Sequence, residues 1–163
     1  MSGEPATTSG PGTELDIDSA LLEAIYRQAR SEFPKECCGF ILGRGAEAEL
    51  VQCQNQQDRY HAVDPETYPR TAETAYTFGF KDLRRFNDSL ETDKPATIIY
   101  HSHPRVGAYF SDEDTRAALS AGWAVDYLVV DVQDDTIREA LLFRKHADED
   151  RYVEIARFPG REL

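Results

Sequence analysis

The stretch ATIIYHSHPRVGAYFSDEDTRAALSAG, Ala96 to Gly122, changes period partway along. Its first eight residues are β-branched, aromatic and short-range apolar, which predicts a central β-strand. Pro104 removes a backbone donor and ends that strand. Ser111 then offers a helix cap, and Gly122 a left-handed stop, so Ser111 to Gly122 reads as a helix. Two of the four histidines of the chain, His101 and His103, sit at the strand's end, one residue apart. Side chains alternate across a strand, so both project from one face while Ser102 projects from the other. Their Cα atoms then lie about 6–7 Å apart, close enough for two imidazoles to converge on one metal ion.

A catalytic metal needs a third protein ligand and an open position. Asp112, Glu113 and Asp114 stand just downstream. Ser111-x-x-Asp114 is also a plain capping box, and capping and ligation are compatible because a carboxylate has two oxygens. A helix N-terminus favours negative charge in either case.

Upstream of this stretch, Leu21, Leu22, Ile25 and Ala29 recur at helical spacing after a cap at Asp18 or Ser19, and Pro34 bounds the helix. CCGFILG reads as a buried strand, and AELVQCQN returns as its hairpin partner around Gly43-Arg44-Gly45. Gln56 to Tyr76 is polar and proline-bearing and reads as a long irregular loop. Phe80, Leu83, Phe86 and Leu90 outline a second helix. Downstream, DYLVVDV and IREALLFR are strands around the turn QDDT, and RYVEIARF is an edge strand. The expected fold is a mixed α+β (α/β) architecture, a curved mixed sheet flanked by helices.

The 163 residues suit one domain, with 1–14 a flexible tail and 15–163 the folded unit. The formal charge of −12 argues against nucleic acid and anionic membrane surfaces as partners. No apolar run reaches membrane-spanning length, and the N-terminus has neither the basic start nor the hydrophobic core of a secretory signal, so a cytoplasmic location is expected. Cys37, Cys38 and Cys53 match no metal or redox spacing and read as small buried hydrophobes. His61 reads as a structural loop histidine, His146 as solvated, and Trp123 as packing. The sequence places no constraint on oligomeric state.

HSHPRVGAYFSDED resembles the signature of the JAMM (MPN-plus) metalloproteases: His-x-His-Pro, seven residues between the second His and a Ser, then two residues and an Asp. That family also has an upstream catalytic Glu before a Cys-Gly strand, and PKECCGFILG matches it at Glu36. Nothing in the residues themselves prefers Glu36 to Glu32. The resemblance implies a cytidine-deaminase-like fold and a stand-alone bacterial-type member. It implies one zinc ion held by His101, His103 and Asp114, Glu36 as general base, and Ser111 as donor to the oxyanion, with Asp112 and Glu113 as bystanders. The implied reaction is cleavage of a peptide or isopeptide bond after the tail of a ubiquitin-like protein, for a small bacterial-type member a Gly-Gly-ended sulfur carrier. Tyr68 and Arg70, in the loop, are expected to line the groove for that tail. Pro104 follows the commoner pattern; some bacterial relatives that release cysteine from sulfur carriers have another residue there. Many MPN domains have lost their ligands and act only as scaffolds or binding modules; that alternative predicts a broken motif, and here every position is intact. A zinc nucleobase deaminase would need His-x-Glu and a distant Pro-Cys-x-x-Cys, and neither is present.

Overall fold

The computed structural model describes residues 16–163; the expected tail, 1–14, lies outside them. Helix α1 (Ser19–Glu32) begins where the Asp18 carboxylate accepts the Ala20 amide at 2.9 Å. Strands β1 (Cys38–Leu42) and β2 (Glu49–Cys53) form the expected hairpin across a short 3-10 turn, Gly45–Glu47. Helices α2 (Gln57–Val63) and α3 (Phe80–Ser89) follow. Strand β3 (Ala96–Pro104) leads through α4 (Asp112–Ala121) to β4 (Asp126–Val132). Strands β5 (Ile137–Lys145) and β6 (Tyr152–Arg161) close the chain.

The six strands form one sheet in the order β2-β1-β3-β4-β5-β6. Among the described residues the only parallel pair is β3 with β4. A parallel pair needs a crossover, and α4 supplies it. Every residue of β3 and of β4 is buried, as expected for central strands covered on both faces. The expected edge strand, β6, is at the edge and carries Pro159 there.

Alternation divides the core in two. Ile98 and Tyr100 join Leu22, Ile25, Tyr26 and Ala29 of α1 on one face. Ile99 joins Phe40, Phe86 and Ala118 on the other, under α3 and α4. His101 and His103 continue this second face. Both are buried, so the two histidines lie at the end of the core rather than on open surface.

One expectation needs correction. The segment read as an irregular loop contains α2, whose one buried residue is Gln57, so it carries no apolar stripe for periodicity to detect. The helix outlined by Phe80, Leu83, Phe86 and Leu90 is present as α3, but its apolar residues are unequally buried. Phe80 is 74% exposed and Leu90 40% exposed, while Phe86 is fully buried against Phe40 and Trp123. At about 100° per residue Phe80 falls roughly 120° around the helix from Phe86, which takes it off the buried face. The three cysteines are free and buried, as expected. No helix of the described residues is long and apolar enough to cross a membrane.

Candidate metal centre

The two histidines reach the site because β3 runs past its partner β1 in antiparallel register. Cys38 pairs with His101, and the same register continued two residues brings Glu36 opposite His103. Ser102, on the opposite face, locks this end of the strands. Its Oγ accepts the Cys37 amide at 2.8 Å, and its own amide donates to the Cys37 carbonyl at 3.1 Å. After Pro104, Arg105 turns the chain at φ 73°, its amide bonded to the Val132 carbonyl.

Helix α4 then delivers the carboxylate. Ser111 Oγ accepts the Asp114 amide at 3.0 Å, and Asp114 Oδ2 accepts the Ser111 amide at 3.1 Å, a complete capping box. The same Oδ2 lies 3.2 Å from His101 Nε2 and 3.3 Å from His103 Nε2. Capping and clustering are therefore served by one oxygen, not divided between two. The two Nε2 atoms are 3.2 Å apart, so the three atoms form a nearly equilateral triangle.

Charge and tautomer argue for a cation at this triangle. His103 Nδ1 lies 3.1 Å from the Gly107 carbonyl, which assigns the proton to Nδ1 and turns the Nε2 lone pair to the cluster. Burial, opposed by Asp114, lowers the His101 pKa. Burial alone would raise Asp114, but the imidazoles outweigh it and hold its carboxyl well below the usual carboxylate range. Two imidazole nitrogens and a carboxylate oxygen thus converge on one point. Ligand bonds of about 2.0–2.1 Å in a tetrahedron place donor atoms roughly 3.3 Å apart, which the triangle matches. The buried side-chain atom without a hydrogen bond among the described residues is His101 Nδ1, another sign of a site built for something besides stability. Among the described residues, His101, His103 and Asp114 are the group able to hold a metal ion.

A cavity of about 550 Å³ opens on this cluster and is lined by Glu36, Arg70, His103, Ser111 and Asp114 among others. Glu36 is 5% exposed. Burial chiefly, and Asp114 next, push its carboxyl up to about 9, with Arg70 opposing. Ser111 uses a lone pair as helix cap, which leaves its O–H free to donate. Tyr76 stacks on His101 at 4.5 Å, and Tyr109 meets His103 edge-on at 4.9 Å.

The loop residues part company. Arg70 lines the cavity, and its Nη2 pairs with Glu113 at 3.0 Å, so Glu113 is tied to the loop rather than free in solvent. Tyr68 lies away from the cavity lining and packs on Tyr60 at 5.2 Å. His61 has the structural hydrogen bond expected of it, Nδ1 to the Tyr68 carbonyl at 2.7 Å, though within α2. His146 accepts the Asp148 and Glu149 amides in the β5–β6 turn.

Sequence reasoning missed Asn55. Its Nδ2 donates to the carbonyls of Glu36 and Ala75, and its Oδ1 accepts the amides of Gln57 and Thr77. The Glu36 amide in turn donates to the Ala72 carbonyl at 2.8 Å. The polar segment thus holds Glu36 by its backbone on both sides. The only local signal was a polar residue at the end of the expected strand AELVQCQN.

Residues 18–143 match the family model for prokaryotic homologs of the JAB domain. Curated relatives from Mycobacterium bovis and Mycobacterium tuberculosis, each called "CysO-cysteine peptidase", are 26% identical over 131 residues, covering 80% of this chain and 82% of theirs. A solution structure of a protein from Salinibacter ruber aligns with a TM-score of 0.52 at 17% identity, over 86% of this chain and 87% of that one. One from Desulfitobacterium hafniense aligns at 0.50 and 20% identity, over 84% and 86%. These two share the fold.

Proposed function

Because the chain belongs to the family of prokaryotic homologs of the JAB domain, a JAMM/MPN-type family, we propose that it is a zinc-dependent peptidase. It hydrolyses the bond after the C-terminal tail of a ubiquitin-like protein, a Gly-Gly-ended sulfur carrier in the first instance. The carrier assignment is supported by the relatives called CysO-cysteine peptidase. The observation that carries the reading is the triangle of His101 Nε2, His103 Nε2 and Asp114 Oδ2, 3.2–3.3 Å on each side, facing a cavity that Glu36 and Ser111 also line.

His101, His103 and Asp114 hold one zinc ion per chain. A zinc ion bound there would supply Lewis acidity toward the scissile carbonyl, a water of pKa ~7, and a charge that would draw the Glu36 carboxyl back down. Glu36 accepts the proton of the attacking water and passes it to the leaving amine. Burial supports this role, because a carboxyl with a raised pKa both takes and returns a proton near neutral pH. Ser111 donates its hydroxyl to the oxygen that becomes negative in the transition state. Asn55 and Ala72 keep Glu36 in place by its backbone.

The test is a panel of Gly-Gly-ended carriers extended by cysteine, by a peptide or by an isopeptide-linked lysine, read by mass spectrometry. Cleavage is expected to stop with a chelator and to fall by about 10²–10⁴-fold in Glu36→Ala. Cleavage that survives both would overturn the mechanism. A protein that takes up no zinc and cuts nothing would be a binding module instead.

A further inference from the structure

The cavity over the His–His–Asp cluster has an uneven charge. Four acidic side chains line it, Glu36, Glu73, Glu113 and Asp114, and a single cationic side chain among the described lining residues, Arg70. That arginine comes from the segment between α2 and α3, whose backbone is fixed: Gln57 Nε2 donates to the Arg70 carbonyl at 2.9 Å. Its Nη1 donates to the Thr74 carbonyl at 3.1 Å and its Nη2 pairs with Glu113 Oε2 at 3.0 Å. A guanidinium has five N–H donors in a planar fork that suits a carboxylate, so donors remain in reserve.

The Arg70–Glu113 pair is built to exchange. Its side chains are 44% and 45% exposed, and a pair so solvated adds little stability. Nor is Glu113 stranded when Arg70 lets go, because the same Oε2 also accepts from Arg116 Nη2 at 3.1 Å. An incoming carboxylate therefore takes Arg70 while Glu113 keeps a partner.

Resting on the peptidase reading above, we propose that Arg70 anchors the α-carboxylate of the residue that is released. The site then removes a single C-terminal residue from the carrier's tail, rather than cutting within a chain or at a lysine side chain. In such a substrate the free carboxylate lies just beyond the scissile nitrogen, in a cavity where Glu73 and Glu113 repel it and where Arg70 is the cationic side chain that can pair with it. An isopeptide-linked lysine is flanked by neutral amides and brings nothing for Arg70 to hold. The chemistry balances as a hydrolysis: the C–N bond breaks, water gives its hydroxyl to the acyl carbon and its proton to the amine, and the amino acid leaves as a zwitterion.

The experiment compares a Gly-Gly-ended carrier extended by one residue as the free acid with the same carrier ending in the carboxamide. The wild type is expected to favour the acid in kcat/KM by roughly tenfold to a hundredfold, the worth of a charge-assisted hydrogen bond. Arg70→Gln should bring that ratio close to one, with the melting temperature and zinc content checking its fold. Glu113→Gln should lower KM for the acid severalfold, which a merely structural clamp would not do. Equal cleavage of acid and amide by the wild type overturns the proposal, as does an unchanged ratio in Arg70→Gln. Cleavage of neither overturns the peptidase reading on which it rests.

Discussion

Asp58 ties the segment carrying Arg70 to the segment carrying Glu36. Its Oδ1 accepts the Ala72 amide at 2.7 Å and its Oδ2 meets Lys35 Nζ at 2.9 Å. These two bonds, the Ala72 amide first, hold its pKa below the ordinary 3.8. A depressed carboxyl stabilises the fold above its unfolded value, and that contribution fades as pH falls through the folded one. The Ala72 amide is therefore expected to lose exchange protection below about pH 3.8, read by hydrogen exchange, and Asp58→Asn should remove the pH dependence. Gly39 carries a different constraint. A Cβ there would lie 2.3 Å from Tyr100 Oη and 2.4 Å from the Val51 carbonyl. That Tyr100 hydroxyl reaches across to Gln28 Oε1 at 2.5 Å, and Gln28 Nε2 donates to the Cys38 carbonyl at 3.1 Å. Gly39→Ala is expected to cost about 3 kcal/mol or more in urea unfolding, because it displaces backbone and a buried polar network together.

At the scale of elements, α4 combines a structural and a chemical task in its first turn. Ser111→Ala removes the cap and is expected to cost about 1 kcal/mol of stability. It also removes the proposed oxyanion donor, which corresponds to roughly 10²–10³ in kcat. Ser111→Asp separates the two: a carboxylate caps the helix but donates nothing, so calorimetry should show recovered stability while cleavage stays low. The elements were unequally legible. β3 and α4 announced themselves through a period change, a proline, a cap and a glycine, all local in sequence. α2 did not, because its fixings are polar and distant: Gln57 Nε2 to the Arg70 carbonyl, Thr77 Oγ1 to Gln57 Oε1, Asp58 to Ala72. Hydrophobic periodicity carries no record of such bonds.

For the molecule as a whole, the candidate ligands come from two elements, a central strand and the crossover helix behind it. Zinc that binds only the folded arrangement should raise stability by mass action. At a hundred times its dissociation constant, the gain is about 2.7 kcal/mol, or roughly 5–10 °C for a chain of this length. A melting curve with and without zinc checks this, and His101→Ala should abolish the shift. The motif residues His101, His103, Ser111 and Asp114 were readable because three short-range constraints, strand alternation, loop length and helix capping, fix their spacing. Glu36 needed the family pattern, since its approach to His103 depends on strand register between Cys37 and Ser102, 65 residues apart in sequence. Asn55, Ser102 and Tyr76 were legible only once the chain was folded, because each acts on a residue far away in sequence.

The single oxygen shared by the helix cap and the cluster makes Ser111's amide a natural reporter. Its proton points at Asp114 Oδ2, the atom that faces both imidazoles. Whatever draws electron density from that oxygen weakens this one N–H bond. The amide's chemical shift therefore follows occupancy of the centre without a label, a substrate or a turnover, and it would read equally well in a variant that has lost all catalysis.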